Sequence, residues 1–355
     1  MITNTKPVTN LRRGESVMFF PSYGRLADDG KTWKVNICGA VIEPENVSIH
    51  KRLLLRLLNR VLKASPEELD SEVFKQRIRA FAAATERGKR VAIRVGSKVY
   101  RLQKKSQRNG HFRGTLRLQA AEVERLTADG HLHDGCLRFE VFTPDDKGQK
   151  FTGCAHLLNP TGVSIISDVD DTIKLTEVTS RQALLANTFL RQFTAIDGMA
   201  SLYQSWASQG ARFHYVTSSP WQLYDPLAEL CDSAGFPQGT FHLRTFRLRD
   251  HMLRRVLLIR RRGKGTVIKS LLKNFPQRRF ILVGDSGEID PELYGNVARK
   301  FPEQVESVLI RQLAARPLTT DRREKAFRRL PQDLCESFEH ADEIAESRLA
   351  HELLA

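Results

Sequence analysis

Residues 164–176 read "SIISDVDDTIKLT". An apolar run from Val163 to Ile166 passes straight into Asp168, Asp170 and Asp171, with Glu177 just beyond. A short apolar run of this kind predicts a buried strand. A strand that ends on so many carboxylates needs something to meet the charge, because unpaired buried charge is costly.

Strands and helices alternate from this stretch onward. "GVSIISDV" is read as a strand, and "SRQALLANTFLRQF" and "GMASLYQSWASQG" as helices. "RFHYVTSS" is a strand, "QLYDPLAELCDSAG" a helix and "TFHLRTF" a short strand. "KGTVIKSLLKNF", "RRFILVGDSG", "DPELYGNVARKF" and "VESVLIRQL" continue as helix, strand, helix, strand. Such alternation predicts an α/β domain with a parallel, doubly wound sheet, whose ligands bind at the C-terminal ends of the strands. We place it at residues 159–316, beginning at the turn "NPTG". Upstream, residues 1–158 read as a β-rich, sandwich-like domain with a helical insertion at about 47–88. Within the insertion, "IHKRLLLRLLNRVLK" is amphipathic and basic, and "SPEEL" offers a capping box between Ser65 and Glu68. Residues 317–355 read as a charged, helical tail.

Composition narrows the partners. The chain has 355 residues and a formal net charge of +15. That balance favours an anionic partner: nucleic acid, a membrane surface or a phosphorylated substrate. Interleaved aromatics and a nucleic-acid motif are lacking, so nucleic acid is the weakest of the three. The five cysteines are scattered, with no CxxC pair, so neither a disulfide framework nor a zinc site is expected. We find no signal-peptide core and no apolar stretch long enough to span a bilayer, and expect a cytoplasmic protein whose membrane contact is peripheral.

The chemistry is carried by four strand ends taken together. Asp168, Asp170 and Thr172 have the spacing DxDxT. "FHYVTSSPW" stops at Thr217, Ser218 and Ser219, hydroxyls suited to phosphate oxygens. "RFILVGDSGEID" ends on Asp285 with Asp290 five positions later, hard oxygen ligands suited to Mg2+. "RRGKGTVI" puts Lys264 at a helix start, with Lys269 as the alternative lysine. Each feature alone is compatible with a capped turn. In this order they fit phosphoryl transfer to an aspartate. Asp168 is the expected nucleophile and Asp170 the acid and base. Thr217 and Lys264 stabilise the phosphoryl oxygens, with Thr172 and Ser218 as further phosphate ligands. Ser218 and Ser219 are also alternatives to Thr217. Mg2+ is assigned to Asp168, Asp170 through its carbonyl, Asp285 and Asp290. Asp171 is given no chemical step.

Over most of residues 160–310 the chain resembles the haloacid dehalogenase superfamily. More narrowly, it resembles the Mg2+-dependent phosphatidate phosphatases of the actin-patch-associated type and their bacterial relatives. The resemblance is carried by "SDVDDTIK", "SPWQLY" and "GDSGEIDPE", with "NTFLRQF" and "GFPQGTFHLRTFRLRD" between them. It implies an α/β catalytic domain with Asp168, Asp170, Thr217, Lys264, Asp285 and Asp290 in the roles above, while the short intervals from Thr172 to Thr217 and from Ser219 to Lys264 leave no room for a large cap. It also implies hydrolysis of phosphatidate to diacylglycerol and phosphate. The basic segments "RTFRLRD" and "RRVLLIRRRGKG", including Arg244, Arg247, Arg249, Arg254, Arg255 and Arg260 to Arg262, are candidates for contact with anionic lipid. Two other functions compete: the same chemistry on a soluble phosphomonoester or phosphoprotein, and a lipid-binding module that has lost catalysis. Retention of both Asp168 and Asp170 disfavours the second.

Overall fold

The computed structural model describes residues 9–47, 64–143, 150–245 and 263–345. Two compact units divide the chain. Met1–Ile49, Ala82–Asn159 and Thr245–Arg247 form the first; His50–Phe81, Pro160–Arg244 and Leu248–Ala355 form the second.

The described strands of the first unit are β1 (Ser16–Phe20), β2 (Ser22–Leu26), β3 (Thr32–Val47), β4 (Ala83–Thr85), β5 (Ala92–Val95), β6 (Lys98–Arg101), β7 (His111–Gln119), β8 (Leu132–His133), β9 (Cys136–Val141) and β10 (Thr152–Leu158). All ten belong to one hydrogen-bonded sheet, not to the two sheets of a sandwich. The long β3 makes this possible. One of its edges pairs with β1 and β2, the other with β7 and β4. Alternate residues of β1, β3, β5, β7, β9 and β10 share a single core that includes Val35, Ile37, Ile93, Leu118, Leu137 and Ala155. Period-two alternation produces this, since successive side chains leave opposite faces of a strand.

The second unit carries six parallel strands: β11 (Val163–Ser167), β12 (Arg212–Pro220), β13 (Gly239–Arg244), β14 (Arg279–Asp285), β15 (Val305–Arg311) and β16 (Cys335–Phe338). Their order is β13-β12-β11-β14-β15-β16. The winding reverses between β11 and β14, so the helices after these two strands diverge and leave a crevice at their C-terminal ends. The run that opens the domain is therefore central, and Ile165 and Ile166 are fully buried.

Two expectations need correction. The helices Pro66–Asp70 and Glu72–Ala82 are inserted in sequence between the paired strands β3 and β4, but their apolar side chains do not join the core of that sheet. Phe74, Ile78 and Phe81 instead pack with Leu185, Phe189 and Leu227 in the core of the second unit. The capping box is present, with Ser65 Oγ accepting from the Glu68 amide and the Glu68 carboxylate accepting from the Ser65 amide. The segment after residue 317 is no appendage either. It supplies β16, which pairs in parallel with β15, and it buries Phe338 and Ile344 in the same core. Its charge count hides this, because only a few residues of so short a strand face inward. The amphipathic segment 49–63 lies outside the described residues, as do the arginines at 247, 249, 254, 255 and 260–262. No helix among the described residues is long and apolar enough to cross a membrane.

Candidate active site

The crevice between β11 and β14 gathers the acidic residues. The Asp168 amide donates to the Val283 carbonyl at 2.8 Å, which fixes the end of β11 against β14. The chain then turns tightly: the amides of Ile173 and Lys174 both donate to the Val169 carbonyl. Asp171, at φ 57°, holds this turn. Its carboxylate accepts from the amides of Thr176, Glu177 and Val178 at 2.6–2.7 Å. The residue that the sequence leaves without a chemical step thus organises the loop that presents its neighbours. Asn187 braces the same loop by donating to the Thr176 carbonyl and the Glu177 carboxylate.

Asp168, Asp285 and Asp290 each place a carboxylate oxygen within 4.8 Å of the others. All three are buried. Asp285 Oδ1 accepts from the amides of Gly287 and Glu288, which rigidifies the turn leading to Asp290. Gly284 is required beside it, because a Cβ there would stand 2.6 Å from Asp290 Oδ2. Three oxygens, Asp168 Oδ2, Asp285 Oδ2 and Asp290 Oδ2, find no hydrogen-bond donor among the described residues. Burial, with the neighbouring carboxylates, pushes the Asp168 and Asp285 carboxyls well above the usual range. A site of hard, donorless oxygens under mutual repulsion fits a small divalent cation.

Lys264 is the basic partner of this cluster. Its Nζ lies 2.9 Å from Asp168 Oδ1, 2.8 Å from Asp290 Oδ1 and 3.5 Å from Glu288 Oε2. Burial opposes its charge, but Asp168, Asp290 and Glu288 outweigh burial and hold the ammonium well above its ordinary pKa. Lys269, the alternative, sits further along the helix Lys264–Asn274 and is half-buried.

Asp170 stands in a different environment. Its Oδ2 accepts from Thr217 Oγ1 at 3.0 Å and Ser219 Oγ at 2.8 Å. Its Oδ1 accepts from Thr176 Oγ1 and pairs with Lys174 Nζ at 3.0 Å. Burial alone would raise its pKa, but Lys174 and the hydroxyls reverse this and hold the carboxyl below the usual range. Two carboxylates two residues apart are thus driven in opposite directions, a pattern that divides roles within acid–base sites.

The structure brings Asp168, Lys264, Asp285 and Asp290 into one cluster and links Asp170 to Thr217. Ser218 is half-buried, and its neighbour Ser219 is the hydroxyl that joins Thr217 on Asp170. Thr172 Oγ1 is buried without a hydrogen-bond partner among the described residues. Sequence reasoning misses Lys174, Thr176 and Arg322. Lys174 is fully buried despite its charge, with its ammonium over the Phe193 ring as well as beside Asp170. Its signal is position, four residues after Asp170 within the acidic stretch. Arg322 reaches back from the helix Thr320–Ala326 to the carbonyls of Ser286 and Glu288 and pairs with Glu292. It clamps the turn that carries Asp285 and Asp290, and nothing local in the sequence announces it.

Residues 163–312 match the family described as the catalytic domain of phosphatidate phosphatase APP1. The phosphatidate phosphatase APP1 of Saccharomyces cerevisiae is 36% identical over 162 residues, which are 44% of this chain and 27% of that protein. An uncharacterized protein of Schizosaccharomyces pombe is 29% identical over 176 residues, 48% of this chain and 29% of that one. The chain therefore spans less than a third of the length of these curated relatives. Among solved structures, the β-glucuronidase of Parabacteroides merdae aligns over 85% of this chain and 34% of its own, with a TM-score of 0.27 and 11% identity, too little to inform the fold. All the residues placed in the crevice by geometry, except Arg322, lie within the family segment.

Proposed function

We propose that the protein is a phosphatidate phosphatase with a haloacid-dehalogenase-like catalytic domain, cleaving the phosphomonoester to diacylglycerol and phosphate. The observation that carries the chemistry is the trio of donorless oxygens on Asp168, Asp285 and Asp290 beside the buried Lys264. The substrate rests on the family match and on the name of the yeast relative.

Mg2+ is the cation whose preference for hard oxygens these residues meet, with Asp168, Asp285 and Asp290 as its protein ligands. When bound, it would screen the repulsion between the Asp168 carboxylate and the incoming phosphate. Asp168 attacks phosphorus and becomes an aspartyl-phosphate. Asp170 passes a proton to the leaving alkoxide, then takes one from the water that hydrolyses the intermediate. Its low pKa suits the second half, in which it must be a carboxylate. In the first half the transferred proton enters with the substrate, as a monoanionic phosphate ester. Thr217 and Ser219 fix the Asp170 oxygen that faces them, and Lys264 lies against Asp168 to balance charge as the phosphoryl group transfers.

The excess of 56 Lys and Arg over 41 Asp and Glu supports action at an anionic membrane surface. Vesicle binding should therefore weaken as salt rises. The deciding experiment is phosphate release from phosphatidate in mixed micelles with Mg2+, set beside a panel of soluble phosphoesters and phosphopeptides. Preference for phosphatidate supports the reading. Equal or better turnover of the soluble panel assigns the same chemistry to a soluble substrate.

A further inference from the structure

A second group of potential ligands lies in the first unit, on strands that the phosphatase reading does not use. Cys136 begins β9, and His156 is its direct partner on the antiparallel β10. Cys154 precedes His156 by two residues, so both project from the same face of β10. Leu137, Phe139, Ala155 and Leu157 alternate with them and point into the core of the sheet. Cys136, Cys154 and His156 therefore share the opposite face, and their ligand atoms all lie within 4.8 Å of one another. Cys136 and His156 are buried, at 5% and 7% exposure, while Cys154 is half-buried. None of the five cysteines is in a disulfide.

We propose that Cys136, Cys154 and His156 form a zinc site that pins β9 to β10. Two sulfurs and an imidazole are the donors that Zn2+ favours over Mg2+. In a tetrahedral zinc site with Zn–S near 2.3 Å and Zn–N near 2.0–2.1 Å, donor atoms stand roughly 3.5–3.8 Å apart. The cluster needs only a small contraction of side chains to reach that spacing, since directly opposed residues on paired strands already have close Cβ atoms. Three protein ligands leave a fourth position for water, with access past Cys154. Both cysteines must bind as thiolates, and binding releases their thiol protons to solvent. The sequence conceals this site because its cysteines are far apart along the chain, and only the strand register brings them together.

The test uses the full-length protein, reduced and stripped of metal. Zn2+ is titrated in competition with a chromophoric chelator, and bound metal is counted by mass spectrometry after dialysis. One equivalent is expected for the wild type and for Asp168→Asn, in which the carboxylate site is altered. His156→Asn and the double variant Cys136→Ser/Cys154→Ser should bind at least about tenfold more weakly. A readout on the wild type avoids dependence on variant folding: Zn2+ should slow alkylation of Cys136 and Cys154 while leaving Cys38 unchanged. The proposal is overturned by zinc that stays bound in the double variant, by loss of the equivalent in Asp168→Asn, or by equal alkylation with and without zinc. Absence of stoichiometric zinc in the reduced wild type also overturns it.

Discussion

In the second unit, three carboxylates gather beside a buried lysine at the ends of parallel strands. In the first, two cysteines and a histidine gather on an antiparallel pair. The donors differ, and so does the way each cluster is made. The carboxylates stand where a sheet changes its direction of winding, where loops are free to diverge and a substrate can enter. The sulfur and nitrogen donors lie flat on a strand face, joined by register, where a bound ion would tie strands together and leave little room for chemistry. Hard oxygens under repulsion suit an ion that works on phosphate. Soft donors on a rigid ladder suit one that holds structure.

The comparison breaks if one ion serves both clusters, and Asp285→Asn tests this with the largest effect. The variant should lose at least about a hundredfold in phosphate release, since it removes a ligand of the proposed catalytic cation. It should also lose the stabilisation that Mg2+ gives the wild type, about 2.7 kcal/mol at a hundred times the dissociation constant. Without Mg2+ the variant should melt higher than the wild type, because a buried charge under repulsion is gone. Thermal melts with and without Mg2+ measure both. A variant that keeps the full Mg2+ shift would remove Asp285 from the cation site.

Arg322→Ala sharpens the comparison from a distance. The carboxylate cluster depends on a clamp far away in sequence, whereas the sulfur cluster depends on strand pairing alone. Loss of the clamp on the Ser286 and Glu288 carbonyls should raise the Mg2+ concentration for half activation by about 10–100-fold. A Mg2+ titration of activity checks this, and an unchanged midpoint would leave Arg322 with a role in folding only.

The smallest effect concerns pH. Asp170 is held below the usual carboxylate range, so its ion pair with Lys174 stabilises the fold above the ordinary carboxylate pKa. That stability fades as pH falls through the folded value. Lys174→Met removes the main cause of the shift and raises the Asp170 pKa. The acidic limb of kcat/KM should move to higher pH, and the stability gap between variant and wild type should narrow in acid. A limb that stays in place would mean that another group governs it.

Much of the carboxylate cluster is legible in the sequence because its chemistry is local. DxDxT and the Asp285 and Asp290 pair each sit at the end of an apolar run, and alternation of strand and helix says that these ends meet. Lys264 is harder to single out, since lysines are common in so basic a chain and burial is what distinguishes it from Lys269. That Ser219 joins Thr217 on Asp170, and the roles of Lys174 and Arg322, are not legible. They depend on which side of a turn faces Asp170 or the turn after Asp285. The last strand is hidden for a related reason. Four residues inside a charged segment are too few to show a period, yet Cys335 and Phe338 are buried and the strand completes the sheet. The sulfur cluster is invisible, as cross-strand register leaves no spacing signature.

The central claim is that Asp168 is the nucleophile that attacks phosphorus. Phosphate release by Asp168→Asn, beside wild type and with Mg2+ saturating, tests it most directly. The account predicts release at background level from phosphatidate and from every soluble phosphoester, in a protein whose circular dichroism and melting remain those of a folded chain. Turnover by the folded variant comparable to wild type would contradict it.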